Sequence, residues 1–120
     1  MLLGTVFDIN KQDCLLGDVK KTNNIFERMR GLLFRDKLKP QQALWIEPCP
    51  SVHTFGMQYS IDVVFLDKMG IVLKVVDNLD PMRIASCRNA TVSLELLAGD
   101  AGKSGIQPGM KLIWNNKESN

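Results

Sequence analysis

From His53 to Asp67 the chain alternates with a period of two. Odd positions read His53, Phe55, Met57, Tyr59, Ile61, Val63 and Phe65; even positions read Thr54, Gly56, Gln58, Ser60 and Asp62, before Val64 and Leu66. Residues that recur at every second position share one face of a strand. This pattern demands a sheet with one apolar face turned to a core. One straight strand from His53 to Asp62 would run roughly 30 Å and point the two side chains to opposite faces. Strands usually run about 5–6 residues. Gly56 and Ser60 are where a bend or bulge costs least. Two strands joined by a corner are expected, and only such a bend lets His53 and Asp62 share a site.

Around this stretch the other elements are short and mostly strands. Residues 2–9 and 14–19 read as an N-terminal hairpin. Asn24, with Glu27 three residues later, is a helix-start signal of capping-box type. Ile25, Phe26, Met29, Leu32 and Leu33 follow at helical spacing and predict one buried face, with the helix ending near Arg35 and Asp36. Arg28 and Arg35, seven apart, share the opposite flank. Residues 43–46 read as a buried strand closed by the Pro48-Cys49-Pro50 turn. Asp67 to Gly70 is a turn that pairs 61–66 with 71–76. Residues 77–89 are irregular, 90–97 a strand, 99–105 a small-residue segment with room for one short helix, and 110–114 the last strand. Consecutive strands without alternating helices indicate a mainly β fold, a small antiparallel β-sandwich or barrel with one clear α-helix. Residues 1–114 form one globular domain on this reading, and 115–120 a polar C-terminal tail.

Composition then excludes several functions. A net charge of +2 with dispersed lysines and arginines gives no basic patch for nucleic acid. No run approaches the ~20 apolar residues that span a membrane, and the start of the chain lacks a signal-peptide pattern. Cys14, Cys49 and Cys87 are an odd number of thiols with no Cys-x-x-Cys, so they are expected to be reduced, in a cytoplasmic protein. With only His53 nearby, they predict no metal site. No phosphate loop, nucleophile elbow or dinucleotide fingerprint is present, so no cofactor is expected.

Three ordered blocks resemble one family. Arg28-Met29-Arg30-Gly31-Leu32-Leu33-Phe34-Arg35 resembles its R-x-x-G-L-[LM]-x-R helix. His53 to Met57 and Ile61 to Asp67 resemble its central signature, and Leu94-Glu95-Leu96 with Ala98-Gly99 its closing block. The family is the bacterial and archaeal domain of unknown function 192. The resemblance covers roughly residues 20–113 and implies a sandwich or jelly-roll-like domain. The chain departs from the family pattern at Phe34, where glycine is common, and at Met110, where aspartate is common.

The candidate site residues are Arg28, Arg35, His53, Thr54, Asp62 and Glu95. Asp62, among Ile61, Val63 and Val64, would be costly to bury without a partner. A bidentate arginine from the helix flank suits it, and His53 would stand on the rim of the same cavity. Glu95, between Leu94 and Leu96, is expected to be solvent-exposed or to join that polar network. These residues predict a non-enzymatic ligand- or partner-binding β-domain for a small polar or anionic ligand or a protein partner. The rival functions are a small hydrolase or lyase using His53 and Asp62 as acid and base, and an accessory subunit of a larger assembly. An exposed apolar patch would favour the last.

Overall fold

The computed structural model describes residues 1–32 and 36–117 of the chain. Within them lie nine strands and two short helices. β1 (Leu2–Asp8) and β2 (Asp13–Lys21) form the N-terminal hairpin. Its turn is pinned by the Asp8 carboxylate, which accepts from the backbone N–H groups of Asn10 and Lys11. α1 (Ile25–Arg30) follows, then β3 (Gln42–Ile46). β4 (Ser51–His53) and β5 (Ile61–Leu66) are the two halves of the central alternating stretch. The corner between them contains Gly56, at φ 84°. β6 (Val72–Leu79), β7 (Ile84–Ser86) and β8 (Val92–Leu97) come next, then α2 (Asp100–Lys103) and β9 (Leu112–Asn116).

Seven strands form one sheet in the order β6-β5-β8-β3-β2-β1-β9, and β4 pairs with β7 in a second, small sheet. The fold is mainly β, as expected, but it departs from the expectation at four places. β2 and β3 are parallel, with Val19 opposite Ala43, because the chain crosses back through α1 and the following loop, as a parallel pair requires. The segment 77–89 is not wholly irregular: β6 runs on to Leu79, and β7 lies inside it. β9 continues through Asn115 and Asn116, which pair with Thr5 and Gly4. Lastly, the large sheet is not a closed barrel. It curls until Ile71 bridges Lys111, with the Leu112 N–H donating to the Gly70 carbonyl at 2.9 Å. Gly70, at φ 85°, stands so close that a Cβ there would collide with the Leu112 carbonyl.

The curl divides the apolar residues into two cores. Inside it, Val6, Leu16, Val19, Trp45, Val64, Leu66, Leu94, Leu96 and Leu112 pack together. On the outer face, Leu44, Ile46, Ile61, Val63 and Phe65 pack with Val52 and Ala85 of the small sheet. β5 therefore serves both cores and is buried along its whole length. The even positions expected to form a polar face instead line the inner core. Each fully buried Val, Leu or Phe contributes about 1.5–3 kcal/mol relative to exposure, so β5 is central to stability.

α1 is the main surprise. Asn24 caps it as expected, its Oδ1 accepting from the Glu27 N–H at 2.9 Å. Gly31, at φ 54°, ends it after six residues, well short of Arg35. Ile25, Phe26 and Met29 do not form a buried face; they are 54%, 79% and 73% exposed, while Leu32 is buried. A helix this short cannot lay a full apolar stripe on the sheet, and among the described residues of this run Leu32, two past its end, is the one that reaches the core. Leu33 and Arg35 lie outside the described residues. Among those described, no helix is long and apolar enough to cross a membrane.

Candidate functional site

Asp62 and Glu95 stand on neighbouring strands, and their environments differ because β5 and β8 carry them to opposite faces. Asp62 is opposite Leu96, whereas Glu95 is opposite Val63 and, on its other side, Leu44. Asp62 thus points to the inner core and Glu95 to the outer one.

Asp62 is fully buried. Its Oδ1 accepts from the Asn78 N–H at 2.9 Å, and its Oδ2 accepts from the Gly99 and Ala101 N–H groups at 3.0 Å each. Backbone dipoles, not Arg28, meet this carboxylate; Arg35 lies outside the described residues. The expected Asp62–arginine network with His53 on its rim is therefore not assembled with Arg28. Asp62 instead ties β6 and the first turn of α2 to β5.

Thr54 also serves the fold. It is fully buried; its hydroxyl donates to the Asp80 carbonyl at 2.6 Å and accepts from the Arg83 N–H at 2.9 Å. Its burial keeps it from a ligand, and its hydroxyl instead fastens the β4–β5 corner to the loop before β7.

Arg28, His53 and Glu95, the remaining candidates among the described residues, meet at a cleft of about 320 Å³ between α1 and the small sheet. Arg28 and His53 line it, and Glu95 forms part of its floor; Leu32, Ile46, Val52 and Met57 supply apolar walls. Glu95 is 3% exposed, and its Oε1 has no hydrogen-bond partner. Burial among apolar side chains pushes its carboxyl up to about 7. Gly31 lies over it: a Cβ there would sit 3.6 Å from Oε1. Tyr59, not among the candidates although its odd position placed it on the same face, also has a buried, unbonded oxygen, but it lies outside the residues that line this cleft. Burial raises its phenol, and the charge of Glu95 raises it further. Cys49 also lines the cleft, its thiol donating to the Ser51 carbonyl at 3.1 Å.

His53 is exposed, its Nδ1 accepting from the Phe55 N–H at 3.3 Å and its ring stacked on Phe55 at 5.2 Å between centroids. It belongs to the rim, on the outer face of the sheet, and so is not brought to Asp62 as an acid–base pair. The three cysteines are free, and among the described residues no three metal-ligating side chains come together. A second cleft, of about 260 Å³, opens on the far side of Leu32. Two of its polar residues already satisfy each other, Gln42 Nε2 donating to Asp18 Oδ2 at 3.0 Å.

A family model for the domain of unknown function 192, described as uncharacterized ACR, matches residues 6–114. The chain belongs to the DUF192 family. Among solved structures, this DUF192 chain is similar to a protein of unknown function from Novosphingobium aromaticivorans, at TM-score 0.74 and 21% identity over 93% of this chain and 84% of that one. It is also similar to a Sinorhizobium meliloti protein described as a candidate transcription regulator, at TM-score 0.76 and 20% identity over 94% and 92% of the two chains. At such identities the likeness shows a shared fold. No curated protein matches the DUF192 chain in sequence.

Proposed function

We propose that this DUF192 chain is a non-enzymatic binding domain whose ligand site is the cleft beneath α1. One observation carries the reading: Glu95 Oε1 is buried at the floor of an open cleft with no hydrogen-bond partner. Leaving such an oxygen unpaired costs about 1–3 kcal/mol, and a ligand that reaches it recovers that cost. Thermal melting against small sugars, phosphates, carboxylates and amines tests it, since a ligand of the folded state raises the melting temperature by mass action. At least one class should shift the parent and fail to shift Glu95→Gln. If every shift is the same in both proteins, the cleft is not the site.

A second reading rests on a different observation. The exposed Ile25, Phe26 and Met29 of α1 suit an accessory subunit that docks through this helix. It gains ground if no small molecule acts through Glu95 while Phe26→Ser with Met29→Ser suppresses concentration-dependent association seen by sedimentation.

A further inference from the structure

The small sheet has an edge that no strand covers. The Thr54 N–H donates to the Arg83 carbonyl and the Cys87 N–H to the Pro50 carbonyl. Bonded and non-bonded pairs alternate along an antiparallel ladder. β4 therefore turns the backbone groups of residues 50, 52 and 54 towards β7 and those of Ser51 and His53 away from it. β7 obeys the same alternation: the Ser86 carbonyl, opposite Ser51, points outward and accepts from Lys74 Nζ at 3.0 Å. On the outer side of β4 the Ser51 carbonyl accepts from the Cys49 thiol. The His53 N–H, the His53 carbonyl and the Ser51 N–H have no partner among the described residues, and both residues are exposed.

The cleft beneath α1 runs along this edge. Ser51, Val52 and His53 all line it, whereas among the described residues none of β7 does. Its other bank is α1, which contributes Arg28 and Arg30. Arg28 is half-buried and makes no hydrogen bond or ion pair among the described residues. Below lie Leu32, Ile46 and Glu95 with its unfilled Oε1. An open strand edge, an apolar floor with one unfilled acceptor and a basic bank thus bound the same space.

Resting on the reading of this cleft as the binding site, we infer that its occupant is an extended segment of a partner protein, added antiparallel to the free edge of β4, with one tryptophan turned down to Glu95. Open ladder groups are met by another extended backbone; a small molecule that reaches Glu95 leaves them open. Antiparallel pairing joins both groups of His53 to one partner residue and the Ser51 N–H to another. The partner residue between those two lies opposite Val52 and shares its face, towards the floor. The floor requires an apolar body with one donor. An indole has one N–H and no acceptor to strand against Leu32 and Ile46. A phenol brings lone pairs of its own, and an ammonium or guanidinium brings several donors to one acceptor. The residues on either side of the tryptophan share the outward face of Ser51 and His53, and carboxylates there complement the arginines of α1.

The experiment titrates acetyl-Thr-Glu-Trp-Glu-Thr-amide into the whole chain, followed by calorimetry and by amide hydrogen exchange in NMR. The peptide should bind and slow exchange of the His53 and Ser51 N–H groups by about tenfold or more. Methylating the backbone nitrogen of its first glutamate, which faces the His53 carbonyl, should abolish binding. Methylating that of its tryptophan, which faces away from β4, should not. Replacing the tryptophan by 1-methyltryptophan removes the indole donor and should weaken binding about tenfold; unaltered binding overturns the inference. In Glu95→Leu these two peptides should bind alike, and if that variant does not fold, the comparison on the parent decides alone. Arg28→Gln should weaken binding several-fold and flatten its salt dependence. Equal effects of the two backbone methylations, or binding that leaves His53 unprotected, overturn strand addition. If the peptide does not bind while a small molecule acts through Glu95, the inference falls and the cleft remains a site. If raising the protein concentration alone protects the His53 N–H, the occupant is a second copy of this chain and the inference is wrong. If neither peptide nor small molecule acts through Glu95, this inference and the reading of the cleft fall together.

Discussion

Two carboxylates lie on adjacent strands, both almost wholly buried, and they do opposite things. Asp62 is surrounded by backbone N–H groups from three separate positions. Glu95 has an oxygen that nothing reaches. The first is a structural clamp, because charge-assisted bonds to backbone amides recover what burial costs. The second is a standing cost, relieved when the carboxyl takes up a proton. Burial of an acidic residue therefore says little about its role; whether its acceptors are filled says much.

The largest effect expected from this contrast is at Asp62. Asp62→Asn turns an acceptor into a donor facing N–H groups and should destabilise by roughly 3–5 kcal/mol in urea melts. Combined with Arg28→Gln, the two changes should add within about 0.5 kcal/mol; strong coupling would restore the arginine pairing that the sequence suggested. The next effect concerns pH at Glu95. An acid whose carboxyl is raised by folding binds more protons folded than unfolded between its two values. Stability from this group is thus full below its ordinary value near 4.5 and falls as pH rises to about 7. The span corresponds to roughly 3 kcal/mol. Subtracting the stability profile of Glu95→Gln from that of the parent should leave this slope; a flat difference would mean that the carboxyl is solvated. Smallest is Phe26→Ser on the exposed side of α1, which should change stability by less than about 0.5 kcal/mol. A loss of several kcal/mol there would show α1 to be packed after all.

Much of the scaffold was legible from local pattern. The alternation of Ile61, Val63 and Phe65 located the outer core, and the spacing of Asn24 and Glu27 located the helix start, because both signals lie within one element. What escaped depends on distant chain. The partners of Asp62 are 16, 37 and 39 residues away and are backbone groups, which have no sequence signature. Arg28 looked like the natural partner because side-chain chemistry is visible in a sequence and backbone amides are not. Glu95 was read as exposed or networked because its apolar neighbours Leu94 and Leu96 face the inner core. Only the register with Leu44 and Val63 reveals that its own face is covered as well. The helical spacing of Ile25, Phe26 and Met29 was real, but the early stop at Gly31 removed the surface it would have covered.

The seam where Ile71 meets Lys111 also governs how the molecule behaves among its own copies. A sheet edge is a row of open hydrogen-bonding groups on which another chain can polymerise. Here the start of β6 and the start of β9 occupy each other, so part of each outer ladder is already spent. Where the two edges part, β6 carries Lys74 and Asp77 and β9 leads into Lys117, all exposed, and charge there discourages strand addition. Gly70 is the rivet of that closure, since any side chain at that position would push the Leu112 carbonyl away. Prying it apart would lengthen two sticky borders at once, and each would offer open ladder groups to a second chain.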